Sequence, residues 1–253
     1  VKRFYETVTV RHSRESRNPA SSSDGERQRD SRFRGNDGEG WSIELDGKPV
    51  RTPARNQLTL PTQALAEAIA AEWQAQGDKV DPRSMPLTGL ANAAIDRVAP
   101  DVAAFASDLG RYADTDLLCY FADGPDDLVS REQAVWEPLL GWARARYDIA
   151  FETTAGIVHR PQPHATVARL AEAVATRDAF SLAALSPLVT IGGSLVIALA
   201  LAEGAIEADA AFDAAHLDEI WQAERWGEDS LATEARDARR RDFNAATDFL
   251  RLL

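Results

Sequence analysis

The chain is predicted to be α+β: a small antiparallel β-rich N-terminal domain with one helix, residues 1–86, followed by a larger all-helical C-terminal domain, residues 87–253. Three observations carry this. Apolar and polar residues alternate near the start, in residues 4–10 and again in 41–45, as a half-buried strand requires. From Pro61 the apolar period becomes helical and stays so for most of the remaining length. Between the two regimes, Asp81-Pro82-Arg83-Ser84-Met85-Pro86 has the composition of a linker.

Asp46-Gly47 is a tight-turn pair after the second strand, and residues 56–60 form another short strand candidate. Residues 11–39 interrupt the first hairpin with seven Arg, six acids and one large apolar residue, Phe33. So little apolar surface cannot offset the entropy of ordering, and disorder is expected there. A tolerated surface insertion is the favoured reading, because loop closure grows costlier only slowly with length; a nucleic-acid or lipid tether is the functional alternative. Thr62 is a plausible N-cap for a helix whose Leu65, Ile69 and Trp73 form one stripe, ended at Gly77.

In the second domain, residues 87–98 read as a short helix, and Pro100 opens another toward Tyr112. Gly124-Pro125-Asp126-Asp127 starts a long helix to about Arg146, with Leu128, Val135, Leu139 and Trp142 inward. Residues 147–163 are a non-helical interlude with β-prone residues at 149–153 and 157–158. Helices are then expected over 167–177, from Ser181 onward, and over 187–202, 209–226 and 231–252, with Gly204 and Gly227 at helix ends. The most apolar stretch, residues 182–202, is broken by Ser186-Pro187 and Gly192-Gly193-Ser194, so it reads as a core helix and falls short of the ~20 residues a membrane span needs. The polar start, Val1-Lys2-Arg3, shows no secretory signal, and the missing initiator Met leaves an upstream segment open.

Charge narrows the function classes. Forty acids against 28 Lys and Arg leave a net charge of −12, which disfavours a general nucleic-acid or anionic-membrane binder. The single cysteine, Cys119, allows no internal disulfide and suits a reducing compartment. Its apolar neighbours in Leu117-Leu118-Cys119-Tyr120-Phe121 mark it as packing. His159 and His164 stand five apart in a proline-bounded loop without companion ligands, so no metal site is expected. Gly192-Gly193-Ser194 precedes a helix but lacks a P-loop lysine and dinucleotide glycine spacing. No catalytic constellation and no cofactor motif emerges.

Residues 217–229 differ. They place Trp221 and Trp226 amid five acids, ahead of the charge-rich residues 231–241. Gly227 as helix terminator and Asp229 or Ser230 as the next N-cap explain part of the pattern. An aromatic anchor beside carboxylates is also the makeup of an interface hot spot.

These motifs resemble those of the ATP-twelve family, assembly chaperones for the catalytic head of F-type ATP synthase. The likeness runs through Lys2-Arg3-Phe4-Tyr5, residues 45–54, Leu60-Pro61-Thr62, Glu72-Trp73-Gln74-Ala75-Gln76-Gly77, Met85-Pro86-Leu87-Thr88, residues 114–120, residues 199–204 and Trp221-Gln222-Ala223-Glu224-Arg225-Trp226-Gly227. It implies a two-domain molecule that binds the free alpha subunit of F-type ATP synthase until the beta subunit replaces it, working in the bacterial cytoplasm or, in eukaryotic relatives, the mitochondrial matrix. By the same resemblance Glu224, Trp226 and Asp229 are expected to recognise the partner, with Trp73 as a further candidate whose stripe position also suits a core residue. Two departures stand out: the insertion at 11–39, and Gly89 where the pattern usually carries Arg. The alternative class is an enzyme using a carboxylate pair in a helical cleft, which perturbed acids lining a deep pocket would favour.

Overall fold

The computed structural model describes residues 2–12 and 40–253; the expected disorder and insertion of residues 11–39 lie, beyond His12, outside the described residues. Two compact units are present, Val1–Asn92 with Leu252–Leu253, and Ala93–Arg251.

The first unit is built on a small antiparallel sheet. Strand β1 (Val8–His12) pairs with β2 (Trp41–Leu45), with Val10 opposite Ile43, and β2 also pairs with β3 (Lys48–Pro49) and β4 (Thr59–Leu60). Asp46 (φ 49°) and Gly47 (φ 75°) supply the left-handed turn that the hairpin twist requires. The Asp46 carboxylate accepts the Thr7 N–H at 2.9 Å, the Glu6 N–H at 3.1 Å and the Thr7 hydroxyl at 2.9 Å. Those donors, the Thr7 amide first, hold its pKa below the usual carboxylate value. Ile43, Leu45, Leu58 and Leu60 are buried with Leu65, Ala66 and Ile69 of helix α1 (Gln63–Gln74). Thr62 caps α1 as expected, accepting the Leu65 N–H at 3.2 Å, and its hydroxyl donates to the Leu252 carbonyl. Glu72 of α1 caps the next helix, α2 (Pro86–Ala93): it accepts the Leu87 and Thr88 N–H groups at 2.8 Å each and the Thr88 hydroxyl at 2.7 Å. Burial raises the Glu72 pKa against the pull of those bonds.

The second unit is helical: α3 (Val102–Gly110), α4 (Asp126–Tyr147), α5 (His164–Ala175), α6 (Ala179–Gly192), α7 (Leu195–Ala202), α8 (Ala208–Ala215), α9 (Leu217–Trp226) and α10 (Ser230–Arg251). Two short strands, β5 (Tyr120–Phe121) and β6 (Thr154–Ala155), pair in parallel on either side of α4 in sequence. Helix α7 is apolar on every face and packs against α4, α6, α8 and α10, which makes it the centre of this core. Among the described residues no helix is long and apolar enough to cross a membrane.

The structure differs from the expected elements in several places: α1 ends at Gln74, short of Gly77, the helix expected over 87–98 changes to a wider π turn after Ala93, and the strand expected over 56–60 is only Thr59–Leu60. The helix expected over 187–202 is two helices, because Gly193 (φ 65°) ends α6 in the left-handed conformation and Ser194 caps α7 through the Ile197 N–H at 3.0 Å. The helix expected over 209–226 breaks at His216, giving α8 and α9. The β-prone residues 149–153 form no strand; the pairing falls on Thr154–Ala155. On α4, Val135 and Trp142 are only half-buried, and the buried stripe is Leu128, Glu132, Trp136, Leu139, Leu140 and Ala143. Pro138 and Ala134, whose carbonyl a proline four residues on cannot bond, both stand on the exposed side of that helix.

Candidate functional site

Helix α9 and its two flanks hold the surface that the sequence singled out. The helix ends because Gly227 takes φ 92° and ψ 158°, a conformation closed to a side chain, with its N–H on the Ala223 carbonyl at 2.9 Å. Two residues on, Asp229 restarts the chain as α10 by accepting the Ala232 N–H at 2.9 Å. This rigid corner fixes the direction of Trp226, which is 68% exposed. The indole rests edge-on against Trp221, centroids 5.2 Å apart and planes at 89°, while Trp221 itself is buried. In the first turn of α10, Leu231 is 74% exposed.

The predicted residues do not all face one way. Trp226 and Asp229 line an open groove of about 400 Å³ between α9 and α10, floored by Ala223, Ala232 and Ala235. Its flanks carry the ion pairs Arg239–Glu219 at 2.5 Å and Arg236–Glu228 at 3.4 Å. Glu224 lies on the other flank of α9, in a shallower depression of about 380 Å³ with Asp127, Arg131, Trp221 and Arg225. There it receives both ends of the Arg131 guanidinium from α4, at 2.5 and 3.0 Å, and this bond lowers the carboxyl pKa and raises that of the arginine. Arg225 bonds Asp127 at 3.3 Å and lies over the Trp221 ring at 5.5 Å. The motif therefore presents two faces, one aromatic and one ionic, on a single short helix.

Trp73 belongs to the first unit. It is half-buried, its ring meets Tyr5 edge-on at 5.6 Å, and its carbonyl accepts the Tyr5 hydroxyl at 2.7 Å. These contacts fit the core reading of its stripe. Gly89, where the family pattern usually carries Arg, has open space beside it: a Cβ there would meet no described atom within 4 Å.

The acids with the largest upward displacement line neither groove. Asp116 is fully buried, and burial lifts its pKa to about 6 against donors that include the Val196 N–H at 2.9 Å, the Ser194 hydroxyl at 2.7 Å and the Leu118 N–H at 3.1 Å. It thus fills the α7 N-terminus, the one anion site the Gly192-Gly193-Ser194 pattern suggested, with the protein's own carboxylate. Glu132 is fully buried as well, and Cys119 is buried with its thiol pushed up to about 12, first by burial and then by Asp116. His159 bonds the Tyr120 hydroxyl at 2.8 Å, and among the described residues no group of three His, Cys, Asp or Glu is placed to hold a metal. Arg131 and Leu231 are the surface residues that sequence reasoning missed.

Comparison with known proteins gives consistent matches. The family described as ATP12 chaperone protein matches residues 2–144. The solved Atp12 of Paracoccus denitrificans is 38% identical with a TM-score of 0.85, covering 99% of this chain and 97% of that one. A solved protein of Agrobacterium tumefaciens is 39% identical with a TM-score of 0.86, covering 99% and 85%. The mitochondrial protein atp12 of Schizosaccharomyces pombe is 23% identical over 197 residues, 73% of this chain and 68% of the relative.

Proposed function

The chain belongs to the ATP12 chaperone family, whose members serve ATP synthase assembly, and from that membership we propose that it binds the free alpha subunit of F-type ATP synthase and shields its interface until the beta subunit replaces it. Under this proposal it acts in the bacterial cytoplasm and transforms no substrate. An unassembled subunit exposes apolar surface meant for its neighbours, and such patches drive aggregation. A chaperone that covers the patch stabilises the orphan by mass action and yields when a larger permanent interface competes.

The observation that carries the reading is the corner of α9 and α10. It holds an indole 68% exposed and a leucine 74% exposed, beside a groove with a small-residue floor and charged sides. Exposed aromatic anchors on a rigid support, rimmed by charge, are what interface hot spots consist of. Glu224, Trp226 and Asp229 are the residues assigned to recognition; Trp73 keeps a supporting place in the first unit. The alternative of a carboxylate enzyme is weaker, since both grooves are open and the displaced carboxyls of Asp116 and Glu132 line neither.

The test is light scattering of isolated alpha subunit diluted from denaturant. The intact chain at equimolar concentration is expected to suppress the scattering, and to do so for alpha but not for beta. Equal scattering with and without the chain would overturn the proposal.

A further inference from the structure

Beneath the ionic face of α9 lies a feature that partner recognition does not use. Glu132, on the buried stripe of α4, is wholly inaccessible, and Asp218, in the first turn of α9, is half-buried. Asp218 is the carboxyl neighbour of Glu132 where α9 packs on α4. Glu132 Oε2 is satisfied by the Ala122 N–H at 2.7 Å. Glu132 Oε1 and Asp218 Oδ1 are each buried without a donor. Two acceptor oxygens cannot face each other in an interior as a pair of anions; one proton between them satisfies both.

The surrounding charges do not offer another solution. Of the elements packed on α4, α7 brings no ionisable side chain, the turn Leu117–Cys119 brings Cys119 and its capping Asp116, and β5 brings Tyr120. On α9, Glu219 is bonded to Arg239, Glu224 to Arg131 and Arg225 to Asp127. On α8, Asp209 and Asp213 are bonded to Arg240, and His216 at its end is bonded to the Phe212 carbonyl, with burial lowering its pKa. Each cation is thus engaged elsewhere. Burial is the main cause that raises the Glu132 pKa, to about 7, with the Ala122 N–H opposing and Asp218 adding to the rise.

We propose that Glu132 and Asp218 share one proton, and that this carboxyl–carboxylate bond is a pH-dependent latch holding α9, and with it Trp226 and Glu224, on α4. The link to chaperone action rests on α9 being the docking face; the latch itself does not. The folded form binds this proton more tightly than the unfolded chain, so its stabilising effect is complete below the ordinary glutamate pKa and is lost as pH rises through about 7. Glu132→Gln keeps a donor toward Asp218 that cannot be titrated away.

The test is amide hydrogen exchange of the full chain between pH 6 and 8.5, with rates corrected for intrinsic exchange. In the parent, amides of α9 are expected to exchange at least ten-fold faster at the upper pH, one unit of displaced pKa being worth a factor of ~10. In Glu132→Gln the change should be under two-fold. A parent profile flat across that range, or a Glu132→Gln slope equal to the parent's, overturns the latch. Should Glu132→Gln not fold, Asp218→Asn places a donor beside Glu132 at every pH, and its α9 exchange is expected to change less between the two pH values than the parent's; a change equal to the parent's overturns the latch. A protonated-carboxyl infrared band at pH 6 that is weaker in Glu132→Gln than in the parent supports the latch, and a band of equal strength in the two, as Asp116 alone would give, refutes it. Alpha-subunit binding measured at both pH values then separates the two readings: a working latch with no alpha binding at either pH would sink the docking face alone.

Discussion

Truncating Trp226 to alanine separates binding from folding more cleanly than any other single change. An indole offers up to ~250 Å² of surface, and the exposed two thirds here leaves ~170 Å² for a partner to cover. At ~25 cal/mol per Å² that area corresponds to a ceiling of ~4 kcal/mol. Hot-spot truncations fall at or above ~2 kcal/mol, so Trp226→Ala should weaken alpha-subunit binding by roughly thirty- to a thousand-fold. The folded chain loses much less. The edge-on packing of the Trp226 ring against Trp221 is worth ~0.5–1.5 kcal/mol. Calorimetric titration against refolded alpha subunit measures the first quantity and urea unfolding the second. Binding within three-fold of the parent would refute the assignment of this corner as the docking face. So would a stability loss large enough to account for the lost binding.

Other expectations follow from the same contacts. Glu224→Lys replaces the carboxylate clasped by Arg131 with a like charge, and should abolish alpha-subunit retention on a column while leaving the thermal midpoint nearly unchanged, because the pair is exposed. Asp116→Ala strands the Ser194 hydroxyl and the Val196 and Leu118 amides in the core, and should cost about 3–5 kcal/mol by urea unfolding, with Asp116→Asn costing less because its amide oxygen still accepts. Gly193→Ala forces a side chain into φ 65° at the α6–α7 reversal and should cost ~1 kcal/mol in the same assay.

How far the sequence could be read depended on whether a signal was local. Thr62 as a cap, the Asp46-Gly47 turn and the ends at Gly204 and Gly227 are decided within a few residues, and all stand in the structure. The phase of α4 was misread because its inward stripe contains a carboxyl: reading only apolar residues selects Val135 and Trp142, whereas the helix turns Glu132 and Trp136 inward. Nothing near Glu132 in sequence shows that Ala122 and Asp218 receive it. The α6–α7 break was obscured by Pro187, which looks like a helix start but lies inside α6, while the reversal is made by Gly193 and anchored by Asp116, 78 residues away from Ser194. At the candidate site, Trp226 and Asp229 were legible as a capped aromatic corner. The clasp of Glu224 by Arg131 spans 93 residues and was not. That Glu224 and Trp226 fall on opposite flanks of α9 follows from their separation of two residues, about 200° around a helix.

Which subunit the chain holds, and what releases it, decide the proposed function. The decisive measurement is co-purification of the tagged chain with separately produced alpha and beta subunits of ATP synthase, followed by addition of the missing subunit. The account predicts that alpha is retained, that beta is not, and that beta added to the complex frees the chain as alpha and beta elute together. Retention of beta in preference to alpha, or a complex that beta leaves intact, would contradict it.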